Sequence, residues 1–257
     1  MDVGAVDTKA VILRGAELLA FSIRPTGAGA AADCLRAALR RAGVAAGDLR
    51  ATASTGYGRD GVPFPAAPLA ETACHARAAS HFFPDTGTVI DIGGQDVNII
   101  SVRAGAAADF VTNDRCAAGT GRFLEIMAGA LKIPLSAMGR ESLRARREGG
   151  GSIRISGVCA IFAESEVISL LSQRRPRGEI LLALHEAVAE RIAGMAGGIP
   201  IGPEAVLTGG VAKNAGVADC VARRLGIRVD IPPEPRITGA LGAALLAGAP
   251  PGAVTGR

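Results

Sequence analysis

The chain has 257 residues, of which 49% are hydrophobic and 35 are glycine, which is enough for one large domain or two lobes with apolar cores. Its formal charge is +4, its 28 lysines and arginines are scattered, and only 3% of its residues are aromatic. Nucleic-acid surfaces usually cluster positive charge beside stacking aromatic residues, so the composition argues against that class of partner.

The first residues, MDVGAVDTK, carry an acid at position 2 and have no apolar segment after it. No run of about 18 uncharged apolar residues occurs either, so we expect no signal peptide, no membrane span and a cytoplasmic location. Disulfides are rare in that compartment, where cysteines more often bind metal or do redox work. The five cysteines include no CxxC pair, which removes the common self-contained zinc patterns.

Strand-like apolar segments alternate with segments of helical period along the whole chain, which predicts an α/β fold. In chain order, the predicted elements are a hairpin (9–13 and 18–23), a helix (31–43), a strand (49–55), a helix (68–82), a buried strand (87–94) with its hairpin partner (96–102), helices at 121–132 and 160–173, a long helix (179–198), a strand (205–210), and helices at 214–226 and 239–248.

A weak internal repeat divides the chain. One strand ends in DVGAVD at 2–7 and another ends in DIGGQD at 91–96, and each is followed by a second strand. Such duplicated units predict two related lobes facing a nucleotide cleft. We expect an N-terminal lobe at 1–84, with the final helix at 239–250 packing back on it, and a C-terminal lobe at 85–238.

These aspartate–glycine turns are candidates for binding phosphate. Glycine lets the backbone approach a phosphate closely and expose its N–H groups, and carboxylates at strand ends hold hydrated Mg²⁺. We expect the first turn to face one side of a triphosphate and the second turn to face the other. The first set is Asp2, Gly4, Ala5, Val6, Asp7, Thr8 and Lys9, and the second is Asp91, Gly93, Gly94 and Gln95.

Two members of the second set are the expected catalytic residues. Asp91 would lie on the metal side of the phosphates, and Gln95 would orient the attacking water. In the later stretch LTGGVAKN, Gly209 and Gly210 would lie flat against the nucleoside base and Lys213 would cover its other face. Gly239 at the start of the final helix completes the expected nucleotide set. The plainer alternative is that all these glycines only make tight turns.

Several motifs now add up to a resemblance. The order DVGAVDTK, STGYGR, DIGGQD, NDRCAAGTGRFLE, CAIFAESEVISLL, LTGGVAKN and GALGAALLA resembles the activators of 2-hydroxyacyl-CoA dehydratases and the ATPase subunits of benzoyl-CoA reductases, the BadF/BadG/BcrA/BcrD-type ATPases. It is also similar to the reductases of double-cubane proteins. The resemblance runs from residue 1 to about 248. It implies the duplicated ribonuclease-H-like, actin-like fold of the acetate and sugar kinase/actin superfamily.

The chain departs from this family at a few positions. Ala5 and Val6 stand where hydroxyl residues are usual, and Asn98 stands in place of a lysine. Lys213 stands where relatives often have a glutamine. These changes bear on nucleotide affinity rather than on the fold. Relatives also have several apolar residues before the first aspartate–glycine turn, whereas one methionine precedes it here. We therefore expect that the true start lies upstream and that MDVG is the internal end of a longer strand.

Two cysteines stand at the start of predicted helices, Cys116 in NDRCAAGTGRFLE and Cys159 in GVCAIFAESEVISLL. The partial positive charge of a helix N-terminus favours a thiolate or another anion nearby. A 4Fe–4S cluster needs four thiolates, and the resemblance implies that a homodimer shares one cluster, each subunit giving Cys116 and Cys159. A zinc site between subunits is the remaining metal alternative. We expect Cys34, Cys74 and Cys220 in the core, and His75, His81 and His185 in the core or on the surface.

The resemblance implies an ATPase that drives one-electron transfer from the cluster to a partner 2-hydroxyacyl-CoA dehydratase, with ferredoxin or flavodoxin as donor. An aromatic-ring reductase or a double-cubane protein is the alternative acceptor. A small-molecule kinase on the same fold is a more distant possibility, because the chain is short and the two cysteine–helix motifs would then be unexplained. A nucleotide-dependent regulatory or chaperone module would need no cluster.

Overall fold

The computed structural model describes residues 1–113, 117–156 and 160–249, in ten strands and eight α-helices. The strands are β1 (Asp2–Val3), β2 (Asp7–Arg14), β3 (Glu17–Pro25), β4 (Ala53–Ser54), β5 (Ala67–Pro68), β6 (Thr88–Ile92), β7 (Val97–Arg103), β8 (Ala106–Asn113), β9 (Glu204–Thr208) and β10 (Arg228–Asp230). The helices are α1 (Ala30–Ala42), α2 (Glu71–Phe82), α3 (Gly121–Leu131), α4 (Met138–Arg147), α5 (Ala160–Ser172), α6 (Arg177–Ala196), α7 (Ala215–Leu225) and α8 (Thr238–Ala247).

The chain divides into two compact units. The described residues of the first are 1–89, 100–110 and 232–249, and those of the second lie within 90–99 and 111–231. The final helix α8 therefore belongs with the N-terminal residues. The expected lobes, 1–84 and 85–238, were drawn from the sequence repeat rather than from compactness, and their boundaries stay a prediction.

In the first unit, β2 divides two small cores because its side chains alternate between the faces of the antiparallel β1-β2-β3 sheet. Ala10 and Ile12 pack with α1, whereas Val11 packs with Ala78 of α2 and Leu241 of α8. The small residues of α8 permit close helix packing: a Cβ on Gly242 would lie 1.8 Å from the Cys74 carbonyl oxygen. The low side-chain volume of GALGAALLA is thus a packing requirement.

The first strand of this unit is short. β1 pairs with only Lys9 and Thr8 of β2, and the Met1 amino group donates to the Ala53 carbonyl oxygen at 2.9 Å. An open cavity of about 1170 Å³ begins beside Met1, and its lining includes residues 10–16 and 50–53. Burial lowers the pKa of the Met1 amino group, because an ammonium ion loses its hydration there.

A five-stranded sheet has the strand order β10-β9-β6-β7-β8, in which β10 and β9 are parallel. All five residues of β6 are buried, as expected for a strand with both faces covered. Ile90, Ile92 and Ile99 join one large apolar core with Phe123 of α3 and Leu184 of α6. This core fixes the strand end that carries Asp91.

Most predicted elements are present. The strand expected at 49–55 is reduced to β4, and β5, β8, β10 and α4 were not predicted. Cys34, Cys74 and Cys220 are buried, as expected. No helix among the described ranges is long and apolar enough to cross a membrane.

Candidate nucleotide-binding turns

The first aspartate–glycine turn joins β1 to β2 in the first unit. Asp2 is 3% exposed, and its Oδ2 lies 3.1 Å from the Lys9 Nζ. The turn is closed by the Gly4 amide, which donates to the Asp7 carbonyl oxygen at 3.1 Å. Ala5 and Val6 are exposed at its tip. The backbone of the turn is therefore accessible, while its carboxylate is held inside.

Thr8 supports this turn from its buried side. Its hydroxyl is fully buried and lies 2.9 Å from that of Thr26, which also donates to the Gly4 carbonyl oxygen at 2.7 Å. These contacts explain how a turn with alanine and valine at its tip keeps its shape. They also occupy Thr8, which was expected to contact the nucleotide.

Gly239 and His75 lie near Asp2, and Glu71 lies beside His75. A Cβ on Gly239 would lie 3.1 Å from both the Asp2 Oδ2 and the His75 Nε2, so the missing side chain lets these groups approach each other. His75 in turn lies 3.9 Å from the Glu71 carboxylate. Sequence reasoning placed His75 in the core or on the surface and missed Glu71. Their i, i+4 spacing on α2 was the available signal.

One oxygen of this group is unsatisfied. The Asp2 Oδ1 is buried and has no hydrogen-bond partner among the described residues. Gly56 packs against it, since a Cβ there would lie 2.6 Å from that oxygen. A buried carboxylate oxygen without a donor is costly unless a cation or water satisfies it. The donor set therefore fits a hydrated Mg²⁺.

The second turn, residues 93–96, follows β6 in the second unit. Asp91 is 3% exposed, and its Oδ1 accepts a hydrogen bond of 2.8 Å from the Thr208 hydroxyl. The Gly93 amide donates to the Asp96 carbonyl oxygen at 2.9 Å and closes the turn. Gln95, the expected water-positioning residue, is exposed at its tip. The departure at Asn98 is accommodated inside the sheet, where its side chain accepts from Thr112 at 2.6 Å.

This second turn is bonded directly to the start of α3. The amides of Gly121 and Arg122 donate to the carbonyl oxygens of Gly93 and Gly94, both at 2.9 Å. These two N–H groups at the start of the helix are therefore already bonded. They connect the second turn to α3, the helix that follows Cys116.

The third turn follows β9 in the same unit. Gly209 has a φ of 83°, and a Cβ there would lie 2.3 Å from the Ile92 carbonyl oxygen, so only glycine fits. Gly210 is exposed, and a Cβ on it would meet nothing within 4 Å. Gly209 thus packs the turn against β6, while Gly210 keeps an open backbone face. Lys213 is exposed at the end of the turn.

Cys116 and Cys159 lie outside the described residues, but their flanks are described. Ahead of Cys116, the Asn113 side chain accepts from Arg191 at 3.2 Å. Ahead of Cys159, Glu166 of α5 accepts from the Ser156 amide at 2.8 Å. Glu166 thereby holds the segment that precedes residues 157–159.

The remaining cysteines are poor candidates for metal ligands. Burial raises the pKa of Cys74 and of Cys220 to about 11, and it also raises the pKa of Cys34. The Cys34 thiol donates to the carbonyl oxygens of Ser22 and Thr8 at 3.2 and 3.3 Å. These three side chains are structural.

The turns, their order and the fold define an ATPase class. The chain belongs to the BadF/BadG/BcrA/BcrD ATPase family, whose model matches residues 1–247. It has an actin-like fold, and a ROK hexokinase from Thermus thermophilus, 18% identical with a TM-score of 0.51 over 96% of both chains, shares that fold alone.

Closer relatives are activators. The (R)-2-hydroxyglutaryl-CoA dehydratase activating ATPase of Acidaminococcus fermentans is 40% identical over 96% of this chain and 95% of that protein. The activator of lactoyl-CoA dehydratase from Anaerotignum propionicum is 41% identical over 96% of this chain and 95% of its own length. The structure of the 2-hydroxyisocaproyl-CoA dehydratase activator from Clostridium difficile, with bound ADPNP, is 35% identical and has a TM-score of 0.90 over 96% of this chain and 92% of that one.

Proposed function

We propose that this protein is a cytoplasmic, ATP-hydrolysing activator that delivers one electron at low potential to a 2-hydroxyacyl-CoA dehydratase. Its likeness to three such activators or their structures supports the reaction class. The observation that carries the proposal is the bonding of the second glycine turn to α3. It provides a direct mechanical connection between a phosphate-binding turn and the helix that follows a candidate cluster ligand.

The two aspartate turns bind Mg²⁺-ATP in this proposal. Backbone N–H groups of both turns bind phosphate oxygens, and the carboxylates of Asp2 and Asp91 hold the hydrated metal. Gln95 orients the attacking water, and the third turn, Gly209–Lys213, takes the nucleoside. Release of the γ-phosphate changes the contacts of the second turn, and the Gly93–Gly121 and Gly94–Arg122 hydrogen bonds transmit that change to α3.

Cys116 and Cys159 hold one half of a 4Fe–4S cluster, which supplies a single electron when bound. Two thiolates per chain leave half of its four ligand positions to a second copy. Helix α5 supports such a dimer, because Ile161 and Phe162 in its first turn and Ile168 further along are 72%, 66% and 56% exposed. A cluster of exposed apolar side chains commonly marks an interface. A ferredoxin or flavodoxin is the proposed electron donor.

Anaerobic purification with iron, sulfide and visible-spectrum measurement tests the proposal. The wild type should be a brown dimer with about four irons per two chains, and Cys116→Ser or Cys159→Ser should lose all of this iron. Cys34→Ser is the matched control, because it makes the same substitution at a buried cysteine that is not a candidate ligand. A colourless, zinc-containing wild type would contradict the cluster.

A second arm tests the nucleotide. Asp91→Asn should lower ATP hydrolysis and leave the visible spectrum unchanged, whereas Gln95→Ala should slow hydrolysis more than it weakens binding, since water positioning acts in the transition state. Equal loss of binding and turnover in Gln95→Ala would remove that role. Failure of the wild type to activate a dehydratase, with cluster and hydrolysis both intact, would overturn the choice of partner.

A further inference from the structure

Three polar side chains from distant parts of the sequence form a buried hydrogen-bonded chain in the second unit. The His185 Nδ1 of α6 lies 2.8 Å from the Ser142 hydroxyl of α4, and the His185 Nε2 lies 3.1 Å from the Asn214 amide nitrogen ahead of α7. Ser142 and His185 are both 0% exposed. None of these three side chains belongs to the nucleotide-binding turns or to the candidate cluster ligands described above.

The donor and acceptor of every hydrogen bond among these three side chains follow from the way Asn214 caps α7. The Asn214 Oδ1 accepts from the amides of Gly216 and Val217 at 3.1 and 3.2 Å, so the NH₂ group of the side chain faces His185. The His185 Nε2 must then accept, and its proton lies on Nδ1, which donates to Ser142. The Ser142 hydroxyl donates in turn to the Gly139 carbonyl oxygen at 3.1 Å.

The imidazole is neutral in this arrangement. Burial, with a smaller effect from the nearby charge of Arg146, lowers the pKa of His185 to about 3. A neutral ring can accept at one nitrogen and donate from the other, as the chain requires.

Two glycines make room for the chain. A Cβ on Gly216 would lie 2.2 Å from the Ser142 hydroxyl oxygen and 2.6 Å from the His185 Nδ1. A Cβ on Gly139 would lie 2.6 Å from the Asn214 Oδ1. Both clashes fall on atoms of the hydrogen-bonded chain, so the packing of three helices is built around it.

Asn214 connects this chain to the third glycine turn. The backbone N–H of Asn214 donates to the Val211 carbonyl oxygen at 2.9 Å, which closes the turn, and the side chain of Asn214 caps the N-terminus of α7. The turn is therefore held from two sides. Gly209 packs it against β6, and Asn214, held by His185, fixes its other end. Gly210 between them keeps the open backbone face.

We propose that His185 is a positioning residue for nucleoside binding: through Asn214 it fixes the turn Gly209–Lys213 in the conformation that accepts adenosine. This role rests on the proposed function, which assigns the nucleoside to that turn. It predicts an effect on nucleotide affinity and little effect on the hydrolytic step, because none of the three side chains belongs to the phosphate-binding turns.

The first measurement is the ring tautomer of His185 by ¹⁵N NMR of the apo protein. We expect the proton on Nδ1, and Asn214→Asp should move it to Nε2, because a carboxylate keeps the α7 cap and now accepts from the ring. This readout needs no nucleotide. A wild-type ring protonated on Nε2 would contradict the bond directions assigned to this hydrogen-bonded chain.

The second measurement is Mg²⁺-ADP binding and the KM and kcat for ATP. His185→Gln and Asn214→Ser should each raise the Kd for ADP and the KM for ATP about tenfold, the effect of one lost hydrogen bond at the turn, with kcat changed less than about twofold. Serine keeps a helix cap but cannot reach His185. Ile192→Ala is the control, because Ile192 is a buried core residue of the same helix that lies outside the relay.

The outcomes separate the two proposals. Equal affinity in His185→Gln, Asn214→Ser and Ile192→Ala would overturn the positioning role and leave the proposed function standing. A folded wild type that binds no adenine nucleotide would overturn the proposed function and this role together, even if the expected tautomer were observed.

Discussion

The two aspartate–glycine turns share a sequence pattern but are supported differently. Asp2 is the first residue of a strand of only two residues, and its contacts come from its own hairpin and from Gly56 and Gly239. Asp91 lies in a strand of five buried residues and accepts from Thr208 on a separate strand. The second turn is also bonded to α3, whereas the first carries a buried carboxylate oxygen without a described partner.

We infer from this difference that the two turns have different roles. An unsatisfied, buried oxygen suits a group that acquires its partner with the ligand, which is the role we propose for the first turn. Hydrogen bonds to β9 and α3 suit a group that passes a change onward, which is the role we propose for the second turn. Substitutions in the two turns should therefore fail in different ways.

The largest expected effect concerns the glycines behind the turns. Gly56→Ala and Gly209→Ala each place a Cβ at positive φ and within 2.6 and 2.3 Å of a backbone oxygen, of Val3 and of Ile92. Each should lower the free energy of unfolding by about 4 kcal/mol, from combined strain and overpacking. Urea unfolding measures this loss.

The control for backbone strain alone is Gly226→Ala. Gly226 has a φ of 68°, but a Cβ there would meet nothing within 4 Å. This variant should lose only about 1 kcal/mol. If Gly209→Ala lost no more than Gly226→Ala, the turn would not be held against β6 in the way described.

The second effect is acid destabilisation through His185. Its pKa is about 3 in the folded chain and near 6.5 when unfolded, so the unfolded state binds the proton first and stability falls as pH drops below 6.5. Between pH 7 and 5 the loss should be about 2 kcal/mol. His185→Gln should remove that part of the pH dependence, as urea unfolding at the two pH values would reveal; an unchanged dependence would mean that the imidazole is not buried and neutral.

Much of this organisation could be predicted from the sequence. Apolar period and glycine position predicted β2, β3, β6 and most helices, because one face of each element is apolar. The helix α4 was missed because RESLRARR offers few apolar positions, and β8 was missed because it is largely exposed. The strand predicted at 49–55 is only two residues long in the structure, and it lies beside the equally short β1.

The turns of the candidate site could be predicted from the sequence, but the hydrogen bonds that hold those turns could not. Glycines and aspartates mark phosphate turns by their local pattern, so the three turns were found. The bonds from Gly121 and Arg122, and the relay through His185, join residues far apart in the chain. Isolated histidines and serines carry no periodic signal that pairs them.

The third effect concerns β1, the two-residue strand that precedes the first turn. An engineered extension of five alternating apolar residues before Met1 should continue β1 into the cavity beside residues 10–14, since an amide there would replace the buried ammonium ion and keep its bond to Ala53. We expect a gain of about 1.5 kcal/mol in the free energy of unfolding, from apolar burial offset by chain ordering. A polar extension, alternating serine and asparagine, is the control, and equal stability of the two would contradict a strand-shaped cavity.

The smallest effect tests transmission directly, at the contact between the second turn and α3. A Cβ on Gly121 would lie 3.2 Å from the Gly93 carbonyl oxygen and 3.3 Å from the Gly94 Cα, so Gly121→Ala should push the helix start away from the turn by a few tenths of an ångström. A Cβ on Gly129, in the same helix, would meet nothing within 4 Å, which makes Gly129→Ala the matched control.

The readout is the rate at which an iron chelator removes iron from the reduced protein in ATP and in ADP. In the wild type the rate should be higher with ATP, and Gly121→Ala should reduce the ratio of the two rates by about fivefold, a coupling free energy of roughly 1 kcal/mol. Gly129→Ala should keep the wild-type ratio. The proposed function assigns ATP hydrolysis to the turns, so hydrolysis without the partner should change little in either variant. A loss of hydrolysis equal to the loss of coupling would show that Gly121 supports the turn itself and does not transmit its movement.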